Sequence, residues 1–155
     1  LKNEYADFGG HYDVYHHTGF FADLVKNDKI KLNTNNAISL TYHDPCYLGR
    51  ANGEYEAPRD LLRKLEVELV EMKRCKTNGL CCGAGGAQMF KEPEAGSKDI
   101  NVKRTEEAVE TGASIVATGC PFCNTMMTDG VKHGEKEGDG EVMDVAEMIA
   151  NASEL

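Results

Sequence analysis

Five cysteines in three groups, each group next to a glycine or a proline, constrain the fold of this chain more than any other feature. They are Cys46, the pair Cys81 and Cys82, and the pair Cys120 and Cys123, in the pattern C-x34-C-C-x37-C-x2-C. Each of the two long gaps can hold a helix and a strand. The carboxyl ends of parallel strands meet at one edge of an open α/β sheet, where such sheets bind their ligands. The spacing therefore predicts an α/β fold whose strands bring all five cysteines to one site.

Composition limits the class of protein. The chain has 155 residues, of which 41% are hydrophobic, so it can build one domain with a proper core, and no apolar stretch approaches the length of a membrane span. Six cysteines are too sparse for a small disulfide scaffold, and their clustering suits metal or redox chemistry in a reducing compartment. We expect a cytoplasmic protein that does not insert directly into a membrane.

The net charge of −9 argues against nucleic acid as a partner. A chain of this charge repels a phosphate backbone, and no basic stripe with interleaved aromatic residues offsets the repulsion. The chain begins at Leu1 and continues through a polar, glycine-bearing stretch, residues 1–11, that we interpret as a linker. We expect residues 1–155 to form a single domain that is a fragment of a longer protein.

Alternating or continuous apolar residues predict four strands, at residues 12–16, 37–42, 67–72 and 113–118. Helical segments separate these strands, so we expect a three-layer α/β domain with a mainly parallel sheet. Thr18 is the expected cap of the first helix, and a last helix is expected at residues 142–150, after a solvated loop at 132–141. Apolar faces are expected on three helices, at Phe20, Phe21, Leu24 and Val25, at Leu61, Leu62 and Leu65, and at Val102 and Val109.

Local sequence predicts how each cysteine is presented. Pro45 ends the second strand, so Cys46 lies at the carboxyl end of that strand. Cys120 and Cys123 are one turn apart at the start of a helix with Pro121 in its first turn, and the positive end of a helix lowers the pKa of a thiol. Both thiols are therefore expected to be poised as thiolates.

Three glycines follow the adjacent cysteines Cys81 and Cys82. Neighbouring side chains in an extended chain point apart, so both thiols face one site only if the backbone turns sharply. Glycine permits such a turn and lets backbone N–H groups approach a bound group closely. We therefore expect the backbone of this loop to take part in cofactor binding, at Gly83, Gly85 and Gly86.

Four other residues are weaker candidates for ligands. Cys75 falls outside the pattern and is interpreted as a free thiol in the loop before the cysteine pair, with a role as an alternative ligand left open. His16 and His17 are interpreted as hydrogen-bonding groups at a strand-to-helix turn in preference to ligands. His133 is expected to be exposed.

Three stretches of the chain resemble a known family. HDPCYLGR at residues 43–50, CCGAGG at 81–86 and TGCPFC at 118–123 resemble the cysteine-rich CCG domain found in the B-type subunit of heterodisulfide reductase. The same domain occurs in the iron–sulfur subunits of lactate-utilisation and anaerobic glycerol-3-phosphate dehydrogenase systems. The resemblance covers roughly residues 12–150. Proteins of this family usually carry two such domains in tandem, and this chain is similar to the second of them.

The resemblance implies a cofactor and a role. It implies an iron–sulfur electron-transfer domain of a heterodisulfide reductase-like oxidoreductase, which is not expected to be active alone. Its expected partners are an upstream CCG domain of the same protein and a ferredoxin-type or flavoprotein redox subunit. The implied cofactor is a non-cubane [4Fe–4S] cluster, one of whose thiolates bridges, held by Cys46, Cys81, Cys82, Cys120 and Cys123.

Three alternatives remain open at this stage. Four of the cysteines would suffice for a structural zinc site, because tetrahedral thiolate sites favour zinc as well as iron–sulfur clusters. The domain could also be a binding module that has kept the fold without the metal. Finally, Cys120-Pro121-Phe122-Cys123 resembles the C-P-x-C motif of a glutaredoxin-like thiol–disulfide exchanger, although that role leaves Cys46 and the Cys81-Cys82 pair unexplained.

Overall fold

Four short parallel strands form the sheet that positions the cysteines. The structure is a computed structural model that describes residues 2–33, 38–92, 95–134 and 140–153. The strands lie in the order β2-β1-β3-β4, and helices cover both faces, which confirms the predicted α/β class. Their bounds are Ser39–His43 for β1, Glu68–Leu69 for β2, Ile115–Thr118 for β3 and Glu141–Asp144 for β4.

The register of the sheet brings three strand ends to the same level. His43, the last residue of β1, lies opposite Thr118 of β3, and Thr118 lies opposite Asp144 of β4. The segments that follow β1 and β3 therefore start side by side. These are the segments that carry Cys46 and Cys120.

Six helices surround the sheet in the described part of the chain. Three short 3-10 segments, Tyr5–Phe8, Lys76–Asn78 and Gly85–Phe90, lie in the connections. The helices are α1 (His17–Lys26), α2 (Gly49–Asn52), α3 (Glu56–Arg63), α4 (Ile100–Val109), α5 (Pro121–His133) and α6 (Val145–Ala152).

Alternate residues of the central strands face two different cores. Leu40 and Tyr42 of β1 pack in a cluster with residues of α3 and α6, against which Phe21 and Val25 of α1 also pack. Val116 of β3 belongs to the core on the other face, together with Met72, Ala108 and Met127. The predicted apolar face of α3 is confirmed by the burial of Leu61 and Leu62, and Leu65, two residues past the end of the helix, is buried as well. Three layers result, as predicted from the alternation of strands and helices.

Two predicted elements are wrong. Residues 12–16 form no strand, because no neighbouring strand pairs with this segment among the residues that the structure describes. Tyr12 and Tyr15 are accordingly mostly exposed. The fourth strand is β4, in a region predicted to be loop and helix, and its backbone pairs in parallel with β3. The predicted strand at 37–42 begins in the structure at Ser39, and that at 67–72 is regular only at Glu68–Leu69. Ala37 lies outside the described residues.

Two helix details also differ from expectation. His16 caps α1 in place of Thr18, because the His16 Nδ1 atom accepts the Thr18 backbone N–H at 3.3 Å, while Thr18 itself is fully buried. In α4, Val102 and Val109 are only half-buried. The buried side of α4 is largely polar, since it carries an ion-pair network described below, and consists of Asn101, Arg104, Thr105, Glu107 and Ala108.

Candidate metal centre

The structure brings the five predicted cysteines together at the carboxyl edge of the sheet. Cys46 follows β1, and Cys120 follows β3 as the N-cap residue of α5. Cys81 and Cys82 lie in the connection after β2, and Cys82 packs with the buried Cys123 of α5. A small depression is lined by four of the five, Cys46, Cys81, Cys82 and Cys123, and Cys120 packs against the same cluster.

Four of these thiols pack in a row, each close enough to the next to affect its pKa. Cys120 contacts Cys123, Cys123 contacts Cys82, and Cys82 contacts Cys81. Cys46 is close enough to Cys81 for their charges to interact. All six cysteines of the chain are free thiols. The arrangement is therefore a set of sulfur donors rather than a disulfide framework.

The contacts give the thiols alternating proton affinities. Hydrogen bonding from Cys123 and Cys81 lowers the pKa of Cys82 far below its ordinary value. The Cys123 thiol, with the backbone N–H groups of Cys123 and Phe122 nearby, lowers the pKa of Cys120 to about 6. Hydrogen bonding to the neighbouring sulfurs raises the pKa values of Cys81 and Cys123, and the burial of both side chains raises them further. Cys82 and Cys120 are thus the thiols that lose their protons most readily, whereas Cys123 keeps its proton, contrary to the prediction for the start of α5.

The loop after the cysteine pair has the turn that the glycines were expected to provide. Gly83 adopts a φ of +93°, in the region that favours glycine, and its backbone N–H donates to the Cys81 sulfur at 3.3 Å. Gly85 and Gly86 begin the short 3-10 segment that follows, and Gly86 has a φ of +66°. The backbone at Gly83 therefore already donates to one sulfur of the site.

A buried ion-pair network supports the segment that carries Cys46. The guanidinium of Arg59 in α3 is fully buried and donates to Asp44 at 2.7 and 3.0 Å and to Glu71 at 2.6 and 2.9 Å. Asp44 also accepts the Lys76 backbone N–H at 2.7 Å. Since Asp44 is two residues before Cys46, this network fixes the turn after β1 against the connection that leads to Cys81.

A second buried network reaches the thiols through a histidine. His43, at the end of β1, is buried, and one of its ring nitrogens lies within 4.8 Å of the sulfurs of Cys82 and Cys123. Arg104 in α4 donates from Nε to His43 Nδ1 at 3.0 Å and from Nη1 to Glu107 at 2.9 Å. Burial lowers the pKa of His43, which favours the neutral imidazole.

The weaker candidates lie outside the sulfur cluster. Cys75 is half-buried beside the Asp44 and Arg59 network, and burial raises the pKa of its thiol. His16 is a helix cap, as its interpretation as a hydrogen-bonding group requires, and His17 lies 3.5 Å from Asp144. His133 is exposed, as predicted.

Among the helices that the structure describes, none is both long and apolar enough to cross a lipid bilayer.

Sequence reasoning missed four charged or polar residues that support the site. They are His43, Arg59, Arg104 and Glu107, all of them buried. His43 carried a usable signal, because it ends the strand that presents Cys46. The two arginines lie on helices that also carry exposed charged residues, so only their distant partners identify them as buried.

The sulfur set determines what chemistry the site can perform. Thiolates are soft ligands that favour zinc and iron–sulfur clusters over magnesium or calcium. Five of them exceed the four that a structural zinc site uses. The donor set, the buried inner side and the Gly83 N–H directed at a sulfur all fit a bound iron–sulfur cluster.

Comparison with known proteins identifies similar chains along nearly the whole length. The chain is 47% identical over 153 residues to the probable iron-sulfur-binding oxidoreductase FadF of Bacillus subtilis, a match that covers 98% of this chain and 22% of FadF. It is 44% identical over 160 residues to the EtfAB:quinone oxidoreductase of Syntrophomonas wolfei, covering 99% of this chain and 22% of that protein.

The D-type subunit of dihydromethanophenazine:CoB–CoM heterodisulfide reductase of Methanosarcina barkeri is 40% identical over 146 residues, covering 91% of this chain and 34% of that protein. The chain thus spans between 22% and 34% of the length of these three relatives. The cysteine-rich domain family CCG matches residues 40–128, which contain all five cysteines of the site. This chain therefore belongs to the CCG cysteine-rich domain family.

Proposed function

We propose that this chain is an iron–sulfur electron-transfer domain of a heterodisulfide reductase-like oxidoreductase. The observation that carries the proposal is the meeting of five thiols, distant in sequence, at one edge of the sheet. The cluster is proposed to be a non-cubane [4Fe–4S] centre, held by Cys46, Cys81, Cys82, Cys120 and Cys123.

The number of thiols supports a non-cubane centre over an ordinary cubane. A cubane [4Fe–4S] cluster is held by four cysteines, and here a fifth thiol lies in the same group.

The exposure of the thiols supports a role in electron transfer. When bound, such a cluster accepts and releases electrons without a large change in structure. Cys82 and Cys123 are buried on the protein side and keep water away from it, whereas Cys46, Cys81 and Cys120 are only half-buried. The half-buried side is where we propose that a redox partner approaches.

The partners of the whole protein follow from its relatives as proposals. The names of these relatives include an iron-sulfur-binding oxidoreductase and an EtfAB:quinone oxidoreductase. We infer that this domain works beside a second CCG domain of the same protein and exchanges electrons with a ferredoxin-type or flavoprotein subunit in the cytoplasm. Catalysis on an organic substrate is proposed to require those further parts.

A structural zinc site is the second candidate. It is favoured by one observation, the buried group of His43, Cys82 and Cys123, whose possible ligand atoms lie within 4.8 Å of one another. Zinc would need one more ligand to complete a tetrahedral site, and this candidate leaves at least two of the five thiols without a role.

Cysteine variants distinguish the proposal from its alternatives. After anaerobic reconstitution with iron and sulfide, we expect about four iron and four sulfide per chain, and a spectrum that changes on reduction. Cys82→Ser and Cys120→Ser should each lower the iron and sulfide content. Cys75→Ser is the matched control and should load like the unmodified chain, because Cys75 lies outside the sulfur cluster.

If Cys82→Ser and Cys120→Ser both bind the full amounts of iron and sulfide, the proposed five-cysteine site is wrong. Uptake of one zinc without sulfide, and without a redox-dependent spectrum, would replace the electron-transfer role with a structural one.

A further inference from the structure

His43 contacts two different groups, and together they determine what its ring can do. It ends β1 and is 1% exposed. The guanidinium of Arg104 donates to its Nδ1 atom, and a ring nitrogen of His43 lies within 4.8 Å of the sulfurs of Cys82 and Cys123. Histidine beside thiolates is a common metal ligand, so its protonation pattern decides whether His43 belongs to the ligand set.

The contact with Arg104 fixes which ring nitrogen carries the proton. Arg104 Nε lies 3.0 Å from His43 Nδ1, and a guanidinium N–H can only donate. Nδ1 must therefore be the acceptor with a free lone pair, and in a neutral imidazole the proton is then on Nε2. The opposite tautomer would place two N–H donors against each other in the protein interior.

Arg104 cannot easily turn away from His43. Its Nη1 donates to the Arg74 carbonyl oxygen at 2.7 Å and to Glu107 Oε2 at 2.9 Å, and Arg104 and Glu107 are both buried. Glu107 is held in turn by the Arg74 backbone N–H at 2.8 Å. The tautomer of His43 is thus set by a chain of buried hydrogen bonds that begins in α4.

Because Nδ1 already accepts from Arg104, Nε2 is the nitrogen left free to interact with the sulfurs. Coordination of a metal by Nε2 needs its lone pair, which the proton occupies in this tautomer. We propose that His43 is not a metal ligand but a positioning residue, whose Nε2–H donates to the Cys82 sulfur in a tautomer imposed by Arg104, and that this bond raises the reduction potential of the cluster. The proposal rests on the iron–sulfur function proposed above.

The direction of the effect follows from charge. A donor that points at a thiolate sulfur withdraws electron density from it and stabilises the reduced, more electron-rich state of an attached cluster. Removing the donor should therefore make the midpoint potential more negative. It should not remove the cluster, because the sulfur ligands remain.

The tautomer can be tested without any cluster. Long-range ¹H–¹⁵N correlation spectra of the reduced, metal-free chain, kept anaerobic and labelled at histidine, report which ring nitrogen of each histidine carries a proton. We expect His43 to be the Nε2–H tautomer in the unmodified chain. A proton on Nδ1 would overturn the proposal, whatever the chain does with iron.

Variants at His43 test the role toward the cluster. His43→Gln retains an N–H donor and a carbonyl that can accept from Arg104, so it should keep its iron and sulfide and a midpoint potential near that of the unmodified chain. His43→Leu should keep the cluster and shift the midpoint potential to a more negative value, measured by spectroelectrochemical titration. His133→Leu is the matched control at an exposed histidine and should change neither quantity.

A spectroscopic measurement covers the case in which His43→Leu fails to fold. Pulsed electron paramagnetic resonance of the reduced, ¹⁵N-histidine-labelled chain should show only weak nitrogen coupling, as for a hydrogen bond. Strong coupling of a directly bound nitrogen, loss of iron in His43→Gln, or an unchanged potential in His43→Leu would each overturn the proposal. Absence of iron and sulfide from the unmodified chain would instead overturn the proposed function.

Discussion

Replacing Arg59 with methionine removes the buried charged side chain that makes the most hydrogen bonds among the described residues. Arg59 donates five hydrogen bonds, to both carboxylate oxygens of Asp44, to both of Glu71 and to the Tyr55 carbonyl oxygen. Its guanidinium carbon also lies 5.3 Å from the centre of the Tyr42 ring. Methionine fills much of the same space but supplies neither the charge nor the donors.

The expected loss comes mainly from Asp44. The Glu71 side chain is 34% exposed and can turn to water. The Asp44 side chain is 5% exposed and, among the described residues, would keep only the Lys76 backbone N–H as a partner. Removing one partner of a buried ion pair costs about 3–5 kcal/mol of unfolding free energy. With a urea dependence of about 2 kcal/mol per M, the unfolding midpoint should fall by about 2 M.

Urea unfolding of the reduced chain, followed by circular dichroism, measures this loss. Arg63→Met is the matched control, because Arg63 is on the same helix and forms an exposed pair with Asp60 at 2.7 Å, which is worth less than about 1 kcal/mol. Adding Asp44→Asn to Arg59→Met should recover part of the stability, since no uncompensated charge remains buried. If Arg59→Met and Arg63→Met unfold at the same urea concentration, the network does not support the fold as described.

Two further predictions concern helix packing and capping, and both are measured as changes in the thermal or urea midpoint. Gly130→Ala should cost about 1–3 kcal/mol of unfolding free energy, because its new Cβ would overlap Thr105 Oγ1 where α4 packs against α5. Gly19→Ala is the control and should be neutral or stabilising, because its Cβ meets no atom within 4 Å. Equal effects of the two substitutions would contradict this packing. Asp144→Ala should cost about 1 kcal/mol of unfolding free energy, because it removes the side-chain cap of α6. Asp144→Asn keeps an acceptor oxygen and should cost less. Equal losses in the two variants would argue against the cap.

The positions of the cysteines were predictable because they depend on regular features of the chain. Pro45 and Pro121 mark the ends of two parallel strands, and parallel strands place their carboxyl ends together. The buried face of α3 was equally predictable, since Leu61, Leu62 and Leu65 recur at helical spacing. These features are local, and tertiary contacts did not override them.

The missed features depend on partners that are distant in sequence. The segment at residues 12–16 alternates like a strand but has no neighbour to pair with in the part of the chain that the structure describes, whereas Glu141–Asp144 becomes a strand because β3 offers it a free edge. Arg59 and Arg104 lie on helices with many charged residues, and their burial follows from Asp44 and His43. Helical periodicity alone cannot distinguish a buried, paired arginine from a solvated one.

The central claim is that the five thiols hold an iron–sulfur cluster. The most direct test is the iron, acid-labile sulfide and zinc content of the chain purified without oxygen, determined together with protein concentration. We predict iron and sulfide in equal amounts, at about four of each per chain after full loading, and little zinc. One zinc per chain with no sulfide would contradict the claim.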